Sequence, residues 1–247
     1  MTKLTISEVF GPTVQGEGPS MGKRCAFVRL GRCNLDCDFC DTPFTWDWKG
    51  KNGVEYNPGV ELRDAEVRDV VIELGLMDPF LALVVISGGE PMLQRSGLGA
   101  LVNGIRKLQP APRIEIETNG TQPPWESLWR DEFGVSDVWF NVSPKLSSSG
   151  VPASKAWNLP ALMSFVQTGH AIFKFVVADD DDLDDVLDVV QDAQLPPDRV
   201  WIMGVTPFGM YVKQPMSDRF VAEWAIERGF NFTPRLHVQL WGQERGR

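Results

Sequence analysis

Several things are scarce in this sequence, and each shortage narrows its chemistry. Only two of its 247 residues are His, His170 and His237, which argues against a His-rich metal site. Basic residues are outnumbered: 24 Lys and Arg face 33 Asp and Glu, for a net charge of −9 and a pI near 4.8. General nucleic-acid binding needs a basic surface and is not expected here. An anionic small molecule stays possible, because a few placed Arg or Lys residues can dominate one pocket. No apolar run approaches the roughly 20 residues that cross a bilayer, and MTKLTISEVF lacks the apolar stretch of a secretory signal. The expected location is the cytoplasm, with no membrane partner. There is no internal repeat, low-complexity linker or composition break, so residues 1–247 are expected to form a single domain. Cysteine is sparse too, at four, yet three stand within eight residues. Disulfide frameworks spread their Cys through a small secreted chain. This crowding points instead to metal.

Strand and helix patterns alternate along the chain. CAFVRLGR (25–32) reads as a strand and is followed by a Cys-, Asp- and Trp-rich loop to about residue 58. Apolar residues at helical spacing predict a helix over 61–74. LALVVIS (81–87), RIEIE (113–117), DVWFNVS (137–143), AIFKFVV (171–177) and RVWIMGV (199–205) read as further strands. Helical faces between them lie around Leu98–Leu108, over 155–168, from Leu183 and from Phe220. Repeated strand–helix units imply a parallel sheet wrapped by helices. The expected fold is α/β, a partial (open) parallel β/α barrel of about six strands, since a closed barrel needs eight. The four acids from Asp179 to Asp182 suit the N-cap and first turn of a helix better than a metal site.

Cys33, Cys37 and Cys40 form C-x3-C-x2-C directly after a strand. Three thiolates on a tight loop can each bind one iron of a [4Fe–4S] cubane. The fourth iron then stays open for substrate chemistry. The alternative is a structural zinc site in a binding module, which wants a fourth Cys or His nearby. Cys25 lies inside the strand and is a poor fourth ligand; a small buried residue is the simpler reading. Trp46 and Trp48 are placed to cover the Cys loop, while Asp36 and Asp38 are expected to be solvated. In SGGEP (87–91) two glycines let the backbone approach a ligand, or simply make a strand-to-helix turn that Pro91 ends. Gln15 and Glu17 in Q-G-E-G offer hydrogen-bonding groups to a ligand, although a polar glycine turn is common anywhere. Arg29 lies mid-strand on one face with Phe27 and Cys25. It needs an anionic partner, which could be one of the chain's own acids.

The Cys spacing, with Phe39 before the last Cys, resembles the radical S-adenosylmethionine superfamily. Within it, residues 14–46, SGGEP, ETNG (117–120), SPK (143–145) and QPM (214–216) resemble the 7-carboxy-7-deazaguanine synthase family. A glycyl-radical activase would share the Cys spacing and GGEP, but not Q-G-E-G, Arg29 and C-D-T together. The resemblance implies a lyase that converts 6-carboxy-5,6,7,8-tetrahydropterin to 7-carboxy-7-deazaguanine with release of ammonia, toward queuosine and other 7-deazapurines. It implies three cofactors: a [4Fe–4S] cluster on Cys33, Cys37 and Cys40, S-adenosylmethionine, and Mg²⁺ at Thr42. The implied substrate contacts are Val14, Gln15, Gly16, Glu17, Arg29, Ser87 and Arg247, with Arg29 on the substrate carboxylate. The implied S-adenosylmethionine contacts are Phe39, Asp41, Gly89, Glu90, Ser143, Pro144, Lys145, Gln214 and Pro215. A homodimer and a reductant protein such as flavodoxin are implied as well.

Overall fold

The computed structural model describes all residues except 1, 132–133, 135–137 and 207–215. Seven strands run parallel in sequence order: β2 (Arg24–Leu30), β4 (Leu83–Gly88), β5 (Arg113–Thr118), β6 (Val138–Val142), β7 (Ala171–Val177), β8 (Val200–Gly204) and the short β9 (Asn231–Phe232). The six strands expected from sequence are all present. Two more extend the sheet beyond β2: β1 (Lys3–Val14) pairs antiparallel with β2, and β3 (Arg63–Glu66) pairs antiparallel with β1. Leu4 and Ile6 alternate with half-exposed neighbours in β1, the period of a half-buried strand. The sheet is open, with β3 at one edge and β9 at the other. No helix among the described residues is long and apolar enough to cross a membrane.

Two helix boundaries differ from the sequence reading. The helix expected over 61–74 begins at Val67 and runs to Met77, because residues 63–66 are drawn into strand pairing. The helix expected over 155–168 divides into Ala153–Ala156 and Leu159–Thr168. Asn158 caps the second piece, its side chain accepting from the Ala161 amide, and Pro160 sits in the first turn, where a missing N–H costs nothing. The acidic run behaves as expected. Asp179 caps the helix Asp180–Asp192 by accepting from the Asp182 amide.

Strand alternation places two different chemistries on the two faces of the sheet. Ala26, Val28 and Leu30, Val84 and Ile86, Ile114 and Ile116, and Phe173 and Phe175 face the helices and build the main core. Their strand neighbours Arg29, Ser87, Glu117 and Lys174 face a central cavity. Neighbouring strands keep Arg29 opposite Ser87 and Glu117 opposite Asn141. The cavity therefore has a polar layer resting on a rigid apolar shell.

Candidate active site

The cavity, about 240 Å³, opens at the C-terminal ends of the parallel strands, where α/β folds place their sites. Cys33, Cys37 and Cys40 lie in its wall, on the loop after β2. Loop and strand are locked together by the glycine pair of SGGEP. Gly88 has φ +134°, and a Cβ there would meet the Leu30 carbonyl oxygen at 2.0 Å; one on Gly89 would meet that of Arg32 at 1.9 Å. The Gly89 and Glu90 amides donate to those same carbonyls, at 3.0 and 2.8 Å. The outer side of the loop is pinned by Asp47, whose buried carboxylate accepts from the Lys51 and Asn52 amides at 2.9 and 2.7 Å. Asp36 and Asp38, expected to be solvated, are partly exposed at the surface and pair there with Lys51, Asp36 also with Lys155.

The three thiols fit an iron–sulfur cluster better than a single ion. They pack around Leu35, Val151 and Ala156 in one small apolar patch. Yet among the described residues no three Cys, His, Asp or Glu side chains converge on a point one ion could occupy. A zinc site requires that convergence; a cubane, which takes each thiolate on a different iron, does not. Burial pushes the Cys33 thiol up to about 12 and Cys37 to about 11, so binding must release protons and favours a strongly cationic group. Donors for the bound sulfurs are in place. Trp46 Nε1 lies 3.3 Å from Cys40 Sγ, and the Leu35 amide 3.4 Å from Cys33 Sγ. Cys25 is buried elsewhere, against Leu83 and Val85.

Most residues expected to contact ligands also line this cavity. Val14, Gln15, Gly16 and Glu17 come from the end of β1 and the turn after it. Arg29, Ser87 and Arg247 line it as well, as do Phe39, Asp41, Thr42, Gly89, Ser143 and Lys145. Thr42 Oγ1 is 3.7 Å from Cys40 Sγ. Ser87 Oγ is buried without a hydrogen-bond partner among the described residues, and a buried polar atom needs one. Arg29 Nε donates to Glu8 Oε2 at 2.9 Å, so the acid partner is supplied by β1. Glu8 also accepts from Arg245 at 2.8 Å. The Arg29 guanidinium lies 5.5 Å from the Phe10 ring centroid and 5.9 Å from that of Phe44. Its two Nη atoms have no hydrogen bond among the described residues, which leaves one edge of the fork for a ligand.

Glu90 and Pro144 are not among the cavity-lining residues. The fully buried Glu90 carboxylate accepts from the Asn119 amide at 2.7 Å, Thr118 Oγ1 at 2.8 Å and the Met92 amide at 2.9 Å. It braces the ETNG turn against the SGGEP loop. Gln214 and Pro215 lie outside the described residues.

Sequence reading missed an ionic chain across the cavity. Lys174 Nζ bonds Glu17 Oε2, and Glu117 Oε2 at 3.0 Å. Arg235 Nε bonds Glu17 Oε1 at 3.0 Å, and its Nη2 bonds Asp41. His237 stands against Gly16, where a Cβ would come within 2.0 Å of its Nδ1. Burial alone would raise the Glu17 carboxyl, but Lys174 and Arg235 hold it well below the usual carboxylate range. The available signal was the charge inside otherwise apolar strands: Lys174 in AIFKFVV and two Glu in RIEIE.

A cysteine triad facing an open cavity at the strand ends defines a radical S-adenosylmethionine enzyme, and the Radical SAM superfamily model matches residues 28–144. A 7-carboxy-7-deazaguanine synthase of Hyperthermus butylicus is 38% identical over 242 residues, covering 96% of this chain and 92% of its own. One of Pyrobaculum aerophilum is 33% identical over 246 residues, covering 99% and 98%. The chain belongs to the 7-carboxy-7-deazaguanine synthase family. It is therefore a lyase whose cofactors are a [4Fe–4S] cluster and S-adenosylmethionine. The fold is shared with the crystal structure of QueE from Escherichia coli, at a TM-score of 0.67, 23% identity and 95% coverage of both chains. Streptococcus suis SuiB is more distant, at a TM-score of 0.53 and 16% identity.

Proposed function

We propose that this cavity converts 6-carboxy-5,6,7,8-tetrahydropterin to 7-carboxy-7-deazaguanine with release of ammonia, a step toward queuosine and other 7-deazapurines. The observation that carries the reading is the meeting of two groups in one cavity: the cysteine triad and the open edge of Arg29. Each Cys holds one iron. When bound, the cluster and S-adenosylmethionine supply the one-electron chemistry that activates the substrate C6–H bond.

The protein's own task is position and charge. Arg29 grips the substrate carboxylate in a two-point fork. Gln15, Gly16, Glu17 and Val14 read the pterin edge, Ser87 gives its unpaired hydroxyl, and Arg247 adds a further substrate contact. Gly89, Ser143, Lys145, Phe39 and Asp41 surround S-adenosylmethionine, with Glu90 and Pro144 behind them; Gln214 and Pro215 belong to the same set. The chain acts as a single domain, as a homodimer in the cytoplasm, and takes its electron from a reductant protein such as flavodoxin. Anaerobic incubation with the carboxytetrahydropterin, S-adenosylmethionine and reductant should give the mass of the deazapurine and free ammonia. Unchanged pterin beside cleaved S-adenosylmethionine would overturn the reading.

The same reading puts Mg²⁺ at Thr42. The Thr42 hydroxyl faces the cavity beside the triad and suits the oxygen shell of Mg²⁺, completed by water and ligand oxygens. Thr42→Ala should keep its iron but need about tenfold more Mg²⁺ for half-maximal turnover. Superimposable Mg²⁺ titrations of variant and parent remove Thr42 from the site.

A further inference from the structure

We propose that Lys174 is a positioning residue for substrate recognition: it holds Glu17 and Glu117 together as a pair of hydrogen-bond acceptors facing the N–H edge of the pterin. The inference rests on the pterin reading above and adds to it a residue from β7.

The geometry is that of a bridge. Lys174 is 4% exposed in the middle of β7, between Phe173 and Phe175, which face the other way into the core. Its ammonium binds one oxygen of each carboxylate. The second oxygen of Glu17 receives Arg235, and that of Glu117 receives Asn141 Nδ2 at 3.0 Å and Gln15 Nε2 at 3.2 Å. Both carboxylates line the cavity. An ionised carboxylate has about four acceptor sites, so each keeps capacity for a ligand. Protonation turns one acceptor oxygen of a carboxylate into an O–H donor and leaves only the carbonyl oxygen to accept, so the pair loses acceptor capacity toward a substrate N–H.

Charge counting shows why the ammonium is needed. The carboxylates here are Glu17 from the turn after β1, Glu115 and Glu117 from β5, and Asp41 from the Cys loop. The cations are Lys174 from β7, Arg235 from the C-terminal segment, Arg29 from β2, whose charge acts on Asp41, and Arg113 beside Glu115. His237 faces the same group and is kept neutral by burial, which lowers its pKa despite the nearby acids. Removing Lys174 leaves four carboxylates against three Arg, of which Arg113 acts on Glu115 and Arg29 on Asp41, so Arg235 alone is left bonded to the Glu17–Glu117 pair. Like charges that close repel, so loss of the ammonium favours uptake of a proton by the Glu17–Glu117 pair. Protonation of His237 at falling pH works the other way, by favouring ionised Glu17.

The test is Lys174→Gln, with Lys174→Arg as the conservative variant, in the cluster-loaded enzyme. In the parent, KM for the carboxytetrahydropterin should be flat from about pH 6 to about pH 9. In Lys174→Gln it should rise roughly 10- to 100-fold at the acid end and recover as pH rises through the pair's pKa, while kcat changes far less. Cleavage of S-adenosylmethionine without pterin should continue. An additional infrared carboxyl C=O band, beyond any in the parent, should grow in as pH falls in substrate-free Lys174→Gln, and disappear in Lys174→Arg together with the pH dependence. A pH-independent loss, or parent-like KM throughout, overturns the proposal. If Lys174→Gln does not hold its cluster, Lys174→Gln/Glu117→Gln relieves the repulsion and should fold with a flat pH profile; failure of that variant too makes Lys174 a purely structural ion pair. If the parent makes no deazapurine, the functional reading fails, and the infrared band still decides the role of Lys174.

Discussion

Cys37→Ala should reduce bound iron and sulfide to background and abolish cleavage of S-adenosylmethionine, with Cys33→Ala and Cys40→Ala doing the same. The expectation follows from the ligand set. The three thiols share one loop and one apolar patch, and no fourth Cys or His stands beside them among the described residues. Removing one leaves two protein ligands for four irons. Cys25→Ala is the control. Cys25 is fully buried between strands and lines no part of the cavity, so losing its sulfur should cost only about 1 kcal/mol of stability and leave the cluster intact. Iron and sulfide analysis of anaerobically purified protein reads both outcomes. A full cluster in Cys37→Ala would remove the triad assignment.

Arg29→Ala should lower turnover of the carboxytetrahydropterin by roughly 10- to 150-fold or more. A charge-assisted hydrogen bond contributes about 1.5–3 kcal/mol, and about 1.4 kcal/mol is a factor of ten. Misplacing C6 in the cavity adds to the loss. Arg29→Lys keeps the charge but not the planar fork, so it should recover only part of the activity. Substrate-independent cleavage of S-adenosylmethionine should survive in both variants, since Arg29 touches no Cys ligand. The Glu8 contact sharpens the comparison. Glu8 has a second partner in Arg245, which also bonds Glu61 at 3.0 Å, so the loss of Arg29 does not strand a bare carboxylate. Parent-like turnover in Arg29→Ala would contradict the carboxylate role. Loss of the cluster together with turnover would make Arg29 a structural partner of Glu8.

The parts of this site that are legible in the sequence are those written as contiguous words. C-x3-C-x2-C, SGGEP, ETNG and Q-G-E-G are loops at strand ends, and a loop carries its chemistry and its glycines together. The six parallel strands were legible because their helix-facing residues are apolar without interruption at every second position, as in AIFKFVV. The ionic chain was not legible. Lys174, Glu117, Glu17 and Arg235 come from β7, β5, the turn after β1 and the segment before the last helix, and only strand register and packing bring them together. β1 was missed for a related reason. Glu8 falls where the Leu4, Ile6 alternation calls for an apolar residue, and it meets Arg29 across the ladder after a register shift.

The most direct test is turnover with limiting S-adenosylmethionine under anaerobic, reducing conditions, with deazapurine, ammonia and 5′-deoxyadenosine quantified together. If S-adenosylmethionine is re-formed at the end of each cycle and acts as a cofactor, deazapurine and ammonia should appear in equal amounts and exceed the S-adenosylmethionine supplied, with little 5′-deoxyadenosine. Formation of 5′-deoxyadenosine with no 7-carboxy-7-deazaguanine would contradict the account.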